Sequence, residues 1–127
     1  MIRAIESLML FSQNAKNLAK FYREVVGLKQ TMEAEMGEKG ENYFGFKIGK
    51  GPELGVMDHS KIKGKNKNPE RIIFNLEVDD IKKEAKRLTG AKVKKIQNVY
   101  HVEGYGYIAT FADVDGNFFQ IVQVKAK

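Results

Sequence analysis

The chain contains no cysteine. Disulfides, thiolate nucleophiles and cysteine-held zinc are thereby excluded, and any metal would have to be held by His, Asp, Glu or Gln. Histidine is scarce as well: His59 follows a strand-like run and His101 precedes the glycine-rich "EGYGY" at 103–107. Apolar runs extend for only a few residues, far short of the roughly 20 needed to cross a bilayer. The N-terminus also lacks a basic region leading into an apolar stretch with a small-residue cleavage site. No membrane partner is expected, and the cytoplasm is the expected location. There is no phosphate loop, because no helix follows the glycines of "EGYGY".

What is present is the balance of a soluble globular protein: 127 residues, 43% hydrophobic and 30% charged, the size of one domain. The net charge of +6 comes largely from lysines, in "KIKGKNK" (61–67) and in a second group within 82–95. An excess of this sign draws anionic ligands or nucleic acid. Nucleic-acid binding wants exposed aromatics interleaved with the basic residues, which "KIKGKNK" lacks, so no such partner is expected.

The chain repeats itself. "SQNAKNLAKFY" (12–22) lies over "EVDDIKKEAKRL" (77–88) at an offset of 66, which sets Asn14 against Asp80 and Lys16, Ala19 and Lys20 against Lys82, Ala85 and Lys86. Each copy has a preceding strand-like run, "IRAIESLMLF" or "RIIFNLEV", and an Asx residue suited to cap a helix. Apolar residues then recur at helical spacing: Leu18, Phe21, Tyr22 and Val25 in the first copy, Ile81, Ala85 and Leu88 in the second. Gly27 and Gly90 are placed to close the helices. Three strand candidates follow each helix: "LKQTMEAEM", "NYFGFKIG" and "ELGVMDH", then "KVKKIQNVY", "YGYIATFADV" and "NFFQIVQVK". The reading is βαβββ twice, with module one over 1–58, a polar linker over 59–69 and module two over 70–127.

"DVDGN" (113–117) has the look of a calcium loop, but that motif requires glycine at position 6 and glutamate at position 12, and Gly116 and Val124 stand at positions 4 and 12. Asp115-Gly116 is better read as a two-residue hairpin turn. Alternation along the following strand then sends Phe118, Gln120 and Val122 one way and Phe119, Ile121 and Gln123 the other.

A first strand, then "FYREVVGL", then the closing "DVDGNFFQIVQ" resembles the vicinal oxygen chelate superfamily, the glyoxalase, bleomycin resistance and extradiol dioxygenase proteins. The resemblance spans essentially the whole chain. It implies an α+β fold of two βαβββ modules whose curved mixed sheets form a concave pocket. Metal-dependent members hold their ion with one residue from the first strand of each module, one from an inner strand and a Glu on the last strand. Carried onto this chain, those places are Ser7, Ile73 and Gln120, with Glu53, Gly55 or Met57 on the inner strand. Serine and glutamine are poor ligands and isoleucine is none, so no metal or other cofactor is expected.

A pocket without metal can still bind. The expected lining is Ser7, Met9, Tyr43, Phe46, Met57, Asn75, Tyr107, Phe118 and Gln120, with Tyr100 also in view; the alternative for the aromatics is plain core. Ser7, Asn75 and Gln120 interrupt apolar runs and would need hydrogen-bond partners if buried. Glu6 and Glu77 are read onto the strand face opposite Ser7 and Asn75. "EGYGY" is either a mobile flap or a plain connection, and no residue is assigned a catalytic role. The expectation is a sequestering or resistance-type small-molecule-binding protein, a homodimer as the resemblance implies, with a neutral aromatic or anionic ligand. The alternative is a glyoxalase-like lyase, isomerase or conjugating transferase.

Overall fold

The computed structural model describes residues 1–125. It divides into two compact units, Met1–Gly64 and Lys65–Lys127, each an α+β arrangement of one four-stranded mixed sheet with its helix. Unit one runs β1 (Ser7–Ser12), α1 (Ala15–Lys20), a π-helical turn (Phe21–Val26), β2 (Gln30–Met36), β3 (Glu41–Phe46) and β4 (Glu53–Asp58). Unit two runs β5 (Phe74–Glu77), α2 (Ile81–Gly90), β6 (Lys94–Val102), β7 (Gly106–Ala112) and β8 (Phe118–Val124). The sheet orders correspond, β1-β4-β3-β2 and β5-β8-β7-β6. In each, the first strand is parallel to the last and the other pairings are antiparallel. No helix of the described residues is long and apolar enough to cross a membrane.

The caps start the helices where the Asx residues predict. The Asn14 side chain accepts from Asn17 N at 3.1 Å, and that of Asp80 from Lys83 N at 3.1 Å. A second acceptor reaches each helix from the end of the neighbouring strand: Asp58 Oδ1 accepts from Ala15 N at 2.8 Å and Gln123 Oε1 from Ile81 N at 2.9 Å. First-turn N–H groups have no partner within a helix, and these four oxygens supply some.

Two helix details depart from expectation. The π-helical turn takes more residues per revolution than an α-helix, so Val26 rather than Val25 joins Leu18, Phe21 and Tyr22 in the core. Gly27 closes that turn at φ 93°, but Gly90 is still helical, and the left-handed residue after α2 is Lys92 at φ 66°.

Each helix covers one sheet face. In unit one, Leu8, Leu10, Phe44, Phe46, Leu54 and Val56 share the face of Ser12 and Asp58, whose side chains meet the start of α1. In unit two the Gln123 face carries Phe74, Phe111 and Phe119, with ring centroids 6.2 Å apart for Phe74–Phe119 and 6.1 Å for Phe111–Phe119. Burying each such ring contributes about 1.5–3 kcal/mol.

The "DVDGN" segment is a turn, although longer than the two-residue form. Asp113 N donates to Asn117 O at 2.9 Å and Gly116 N to Asp113 O at 3.1 Å, with Gly116 at φ 79°. Residues 114–116 thus form the loop. The buried Asp113 carboxylate accepts from Asp115 N, Asn117 N and Asn117 Nδ2 at 2.9, 2.9 and 3.0 Å. Its oxygens are committed to the turn.

The connecting segment is hydrogen-bonded near its middle. Gly64 N donates to Gln13 Oε1 at 2.9 Å, and Asn66 N donates to Asp115 O at 2.8 Å. "EGYGY" joins β6 to β7 as a hairpin, with Tyr105 N donating to Val102 O at 3.0 Å and Val102 in register with Gly106.

Asp113→Ala should therefore cost about 2–3 kcal/mol in urea denaturation, the loss of a buried carboxylate that organises three N–H donors. Val114→Ala, at an exposed loop position, should stay within about 0.5 kcal/mol.

Candidate functional site

The face of the unit-one sheet turned away from α1 is where polar chemistry and apolar exposure meet. Register places Ser7, Met9 and Phe11 of β1 beside Glu53, Gly55 and Met57 of β4. Tyr43 and Gly45 of β3 lie next to Met57 and Gly55, and Met32, Ala34 and Met36 of β2 lie beyond. Four of the chain's five methionines, Met9, Met32, Met36 and Met57, thus share one face. Phe11 and Met32 are each 42% exposed, and the Phe11 ring meets His59 edge-on at 5.3 Å. Thioethers on flexible stems make a surface that conforms to varied apolar shapes.

Gly45 and Gly55 are register partners in the middle of this face. A Cβ at Gly55 would lie 2.6 Å from Met9 Sδ and 2.9 Å from the Tyr43 hydroxyl, and one at Gly45 would lie 3.0 Å from the Glu53 carboxylate. The missing side chains let Met9, Tyr43 and Glu53 lie down on the backbone. Tyr43 Oη donates a hydrogen bond to Glu53 Oε2. Burial first, then this hydrogen bond and the charges of Glu53 and Glu6, pushes the Tyr43 phenol from 10.0 up to about 12.

The corresponding face of unit two is more polar. Asn75, Gln120, Thr110 and Gln97 lie side by side across its four strands. Gln120 Nε2 donates to Thr110 Oγ1 at 3.1 Å, so its amide is partnered within the protein. Asn75 is exposed and needs no protein partner.

Of the expected lining, Ser7, Met9, Tyr43 and Met57 come together on the unit-one face, and Asn75, Gln120 and Phe118 on the unit-two face. Tyr100 also lies on the latter, beside Ile108. Two residues fall elsewhere. Phe46 pairs with Leu54 on the α1 side and is 0% exposed, because it stands an odd number of residues from Tyr43. Tyr107 pairs with Gln123 and His101 on the opposite face from Gln120. There it lines an open cleft of about 240 Å³ at the β6–β7 hairpin, with Tyr105 and Lys125, and its ring centroid is 5.0 Å from that of His101. Glu77 is corrected as well: in register with Val122, it shares the face of Asn75. In the sequence Glu53 is only one of three inner-strand candidates, and the Gly45–Gly55 pair and the methionine clustering emerge only from strand pairing.

The profile of the Glyoxalase/Bleomycin resistance protein/Dioxygenase superfamily matches residues 4–121. The chain belongs to this superfamily. No curated protein matches it. Among solved structures it is similar to TnmS3, an antibiotic binding protein from Streptomyces sp. CB03234, at 20% identity and TM-score 0.73, covering 98% of each chain. The trypanothione-dependent glyoxalase I of Leishmania major has 16% identity and TM-score 0.77, with 96% of this chain and 87% of that one covered. The fosfomycin resistance protein FosX from Listeria monocytogenes has 17% identity and TM-score 0.71, covering 98% and 96%. At these identities the likeness is one of fold.

Strand register also resolves the inner-strand place that the superfamily resemblance implies. Met9 pairs with Gly55 as Asn75, its counterpart at the offset of 66, pairs with Gln120. The residue equivalent to Gln120 is therefore Gly55, and the implied set becomes Ser7, Gly55, Ile73 and Gln120. A hydroxyl and an amide already bonded to Thr110 do not make the imidazole and carboxylate set that a divalent ion requires. These residues do not fit a metal.

The raised Tyr43 phenol has a stability signature. A group that keeps its proton to higher pH in the folded chain stabilises it fully below about pH 10 and loses that contribution as pH rises toward about 12. In urea denaturation across that window, the advantage of wild type over Tyr43→Phe should hold below it and shrink through it. The variant should also lack the tyrosinate absorbance that wild type gains near pH 12.

Proposed function

We propose that this chain binds a small molecule without a metal ion, as a sequestering member of its superfamily and as a homodimer. The observation that carries the reading is the methionine-lined face of unit one, on which Phe11 and Met32 stay open to solvent beside the Tyr43–Glu53 pair. Ligand sites combine apolar and aromatic lining with a few oriented polar groups, and this face has that composition. The donor set Ser7, Gly55, Ile73 and Gln120 supports binding without metal. The fold shared with an antibiotic binding protein agrees with a sequestering role.

A neutral aromatic ligand fits this face better than an anionic one. The chain carries 22 Lys and Arg, yet none of the strand positions on this face is basic. Overall charge brings anions near the protein, whereas the local carboxylate disfavours them here.

Chelator-stripped protein titrated calorimetrically with nickel, zinc, manganese and cobalt should show no stoichiometric uptake. The same preparation screened by thermal shift against neutral aromatic compounds should show saturable stabilisation, about 2.7 kcal/mol at a hundredfold excess over Kd. One tight metal equivalent per chain would overturn the metal-free reading.

A further inference from the structure

The polar end of the unit-one face has an unusual construction. Glu53 points across the sheet, above the α-carbon of Gly45, and is held there by the Tyr43 hydroxyl. That bond engages Oε2, leaving Oε1 as an acceptor on a half-buried residue. Ser7, the register partner of Glu53, is the adjacent polar side chain. Around this spot the surface is apolar, with Met9 over Gly55 and Met32 in register with Gly45. A carboxylate among thioethers is poorly screened, so it attracts a proton donor and repels an anion more strongly than it would in open solvent.

We propose that Glu53, clasped by Tyr43 over the Gly45–Gly55 floor, sets ligand specificity on this face: it accepts a hydrogen bond from an N–H or O–H of a neutral aromatic ligand and excludes anions. This rests on the small-molecule reading above and adds the chemical class. The negative field of Glu6, which contributes to holding the Tyr43 proton, acts in the same sense. The exclusion runs against the chain's net charge of +6, which makes it a discriminating property.

Two fluorescent probes share one scaffold and differ by a charge: N-phenylnaphthylamine, a neutral aromatic amine, and anilinonaphthalenesulfonate, its sulfonated analogue. The full-length protein should bind the neutral probe about tenfold more tightly, the worth of one charge-assisted contact. Glu53→Gln is isosteric and still accepts from Tyr43; it should bring the two Kd values within about threefold, tightening the anion and weakening the amine. Glu53→Asp keeps the charge and should retain the preference, which separates charge from shape, and melting curves establish that each variant is folded. Met32→Gln, at an open position beside the floor, should weaken both probes. If both probes bind, Met32→Gln weakens both and their ratio is indifferent to Glu53→Gln, the specificity role is overturned while the binding face stands. If neither probe saturates, or Met32→Gln affects neither, the binding face itself is overturned and the specificity role with it.

Discussion

A four-stranded sheet has two faces, and each unit of this chain has one helix to cover them. Layered folds bury the apolar side of every element against another, so the helix takes the face with the aliphatic and phenylalanine side chains: Phe46 and Val56 in unit one, Phe111 and Phe119 in unit two. The second face is left without a helix of its own. Side chains there are still buried in places, Tyr43 in unit one and Thr110 and Val122 in unit two, but the two units fill the face differently. Unit one places methionines, Phe11, Tyr43 and the carboxylates of Glu41 and Glu53 on it; unit two places a row of amides and a threonine.

The Tyr43–Glu53 pair exists because of two absent side chains. A Cβ at 45 would press on the Glu53 carboxylate and one at 55 on Met9 and Tyr43, so these side chains would have to shift. The glycines cost strand stability, and in return the polar pair is brought close to the backbone and partly out of water, where hydrogen bonding is strengthened. The glycine that accommodates Tyr43 also occupies the place corresponding to Gln120 in the other half. That position also lets Met9 and Tyr43 lie over the backbone of the apolar face.

Much of this architecture was legible in the sequence. The duplication at offset 66, the Asn14 and Asp80 caps and the turn before Phe118 are local signals, and each specifies its own geometry. The side-chain faces were legible only where alternation was anchored. Alternation from the turn puts Gln120 on the side of Phe118 and Val122, as the pairing has it, whereas "NYFGF" and "YGYI" carry aromatics at both parities, and the pairing puts Phe46 and Tyr107 on the helix-covered faces. The methionine face was not readable at all: its members come from three strands, and β2 joins through an irregular register between Gln30 and Met32. Glu53, Gly55 and Met57 alternate onto the same side, so only pairing with β1 identifies which of them corresponds to Gln120. Lys92 in a left-handed conformation reflects how α2 ends, which the favoured glycine two residues earlier obscured.

The oxygens that reach across from β4 and β8 to the first turns of the helices come from different chemical groups, the carboxylate of Asp58 and the carboxamide of Gln123. Both satisfy a backbone N–H at the same place, although only one carries charge. A duplicated fold held together through its main chain tolerates such divergence, since a backbone donor specifies where an acceptor must be and not which residue supplies it. The two halves can thus drift apart in composition while keeping a common geometry. That tolerance leaves one half free to acquire a chemistry that its twin does not share.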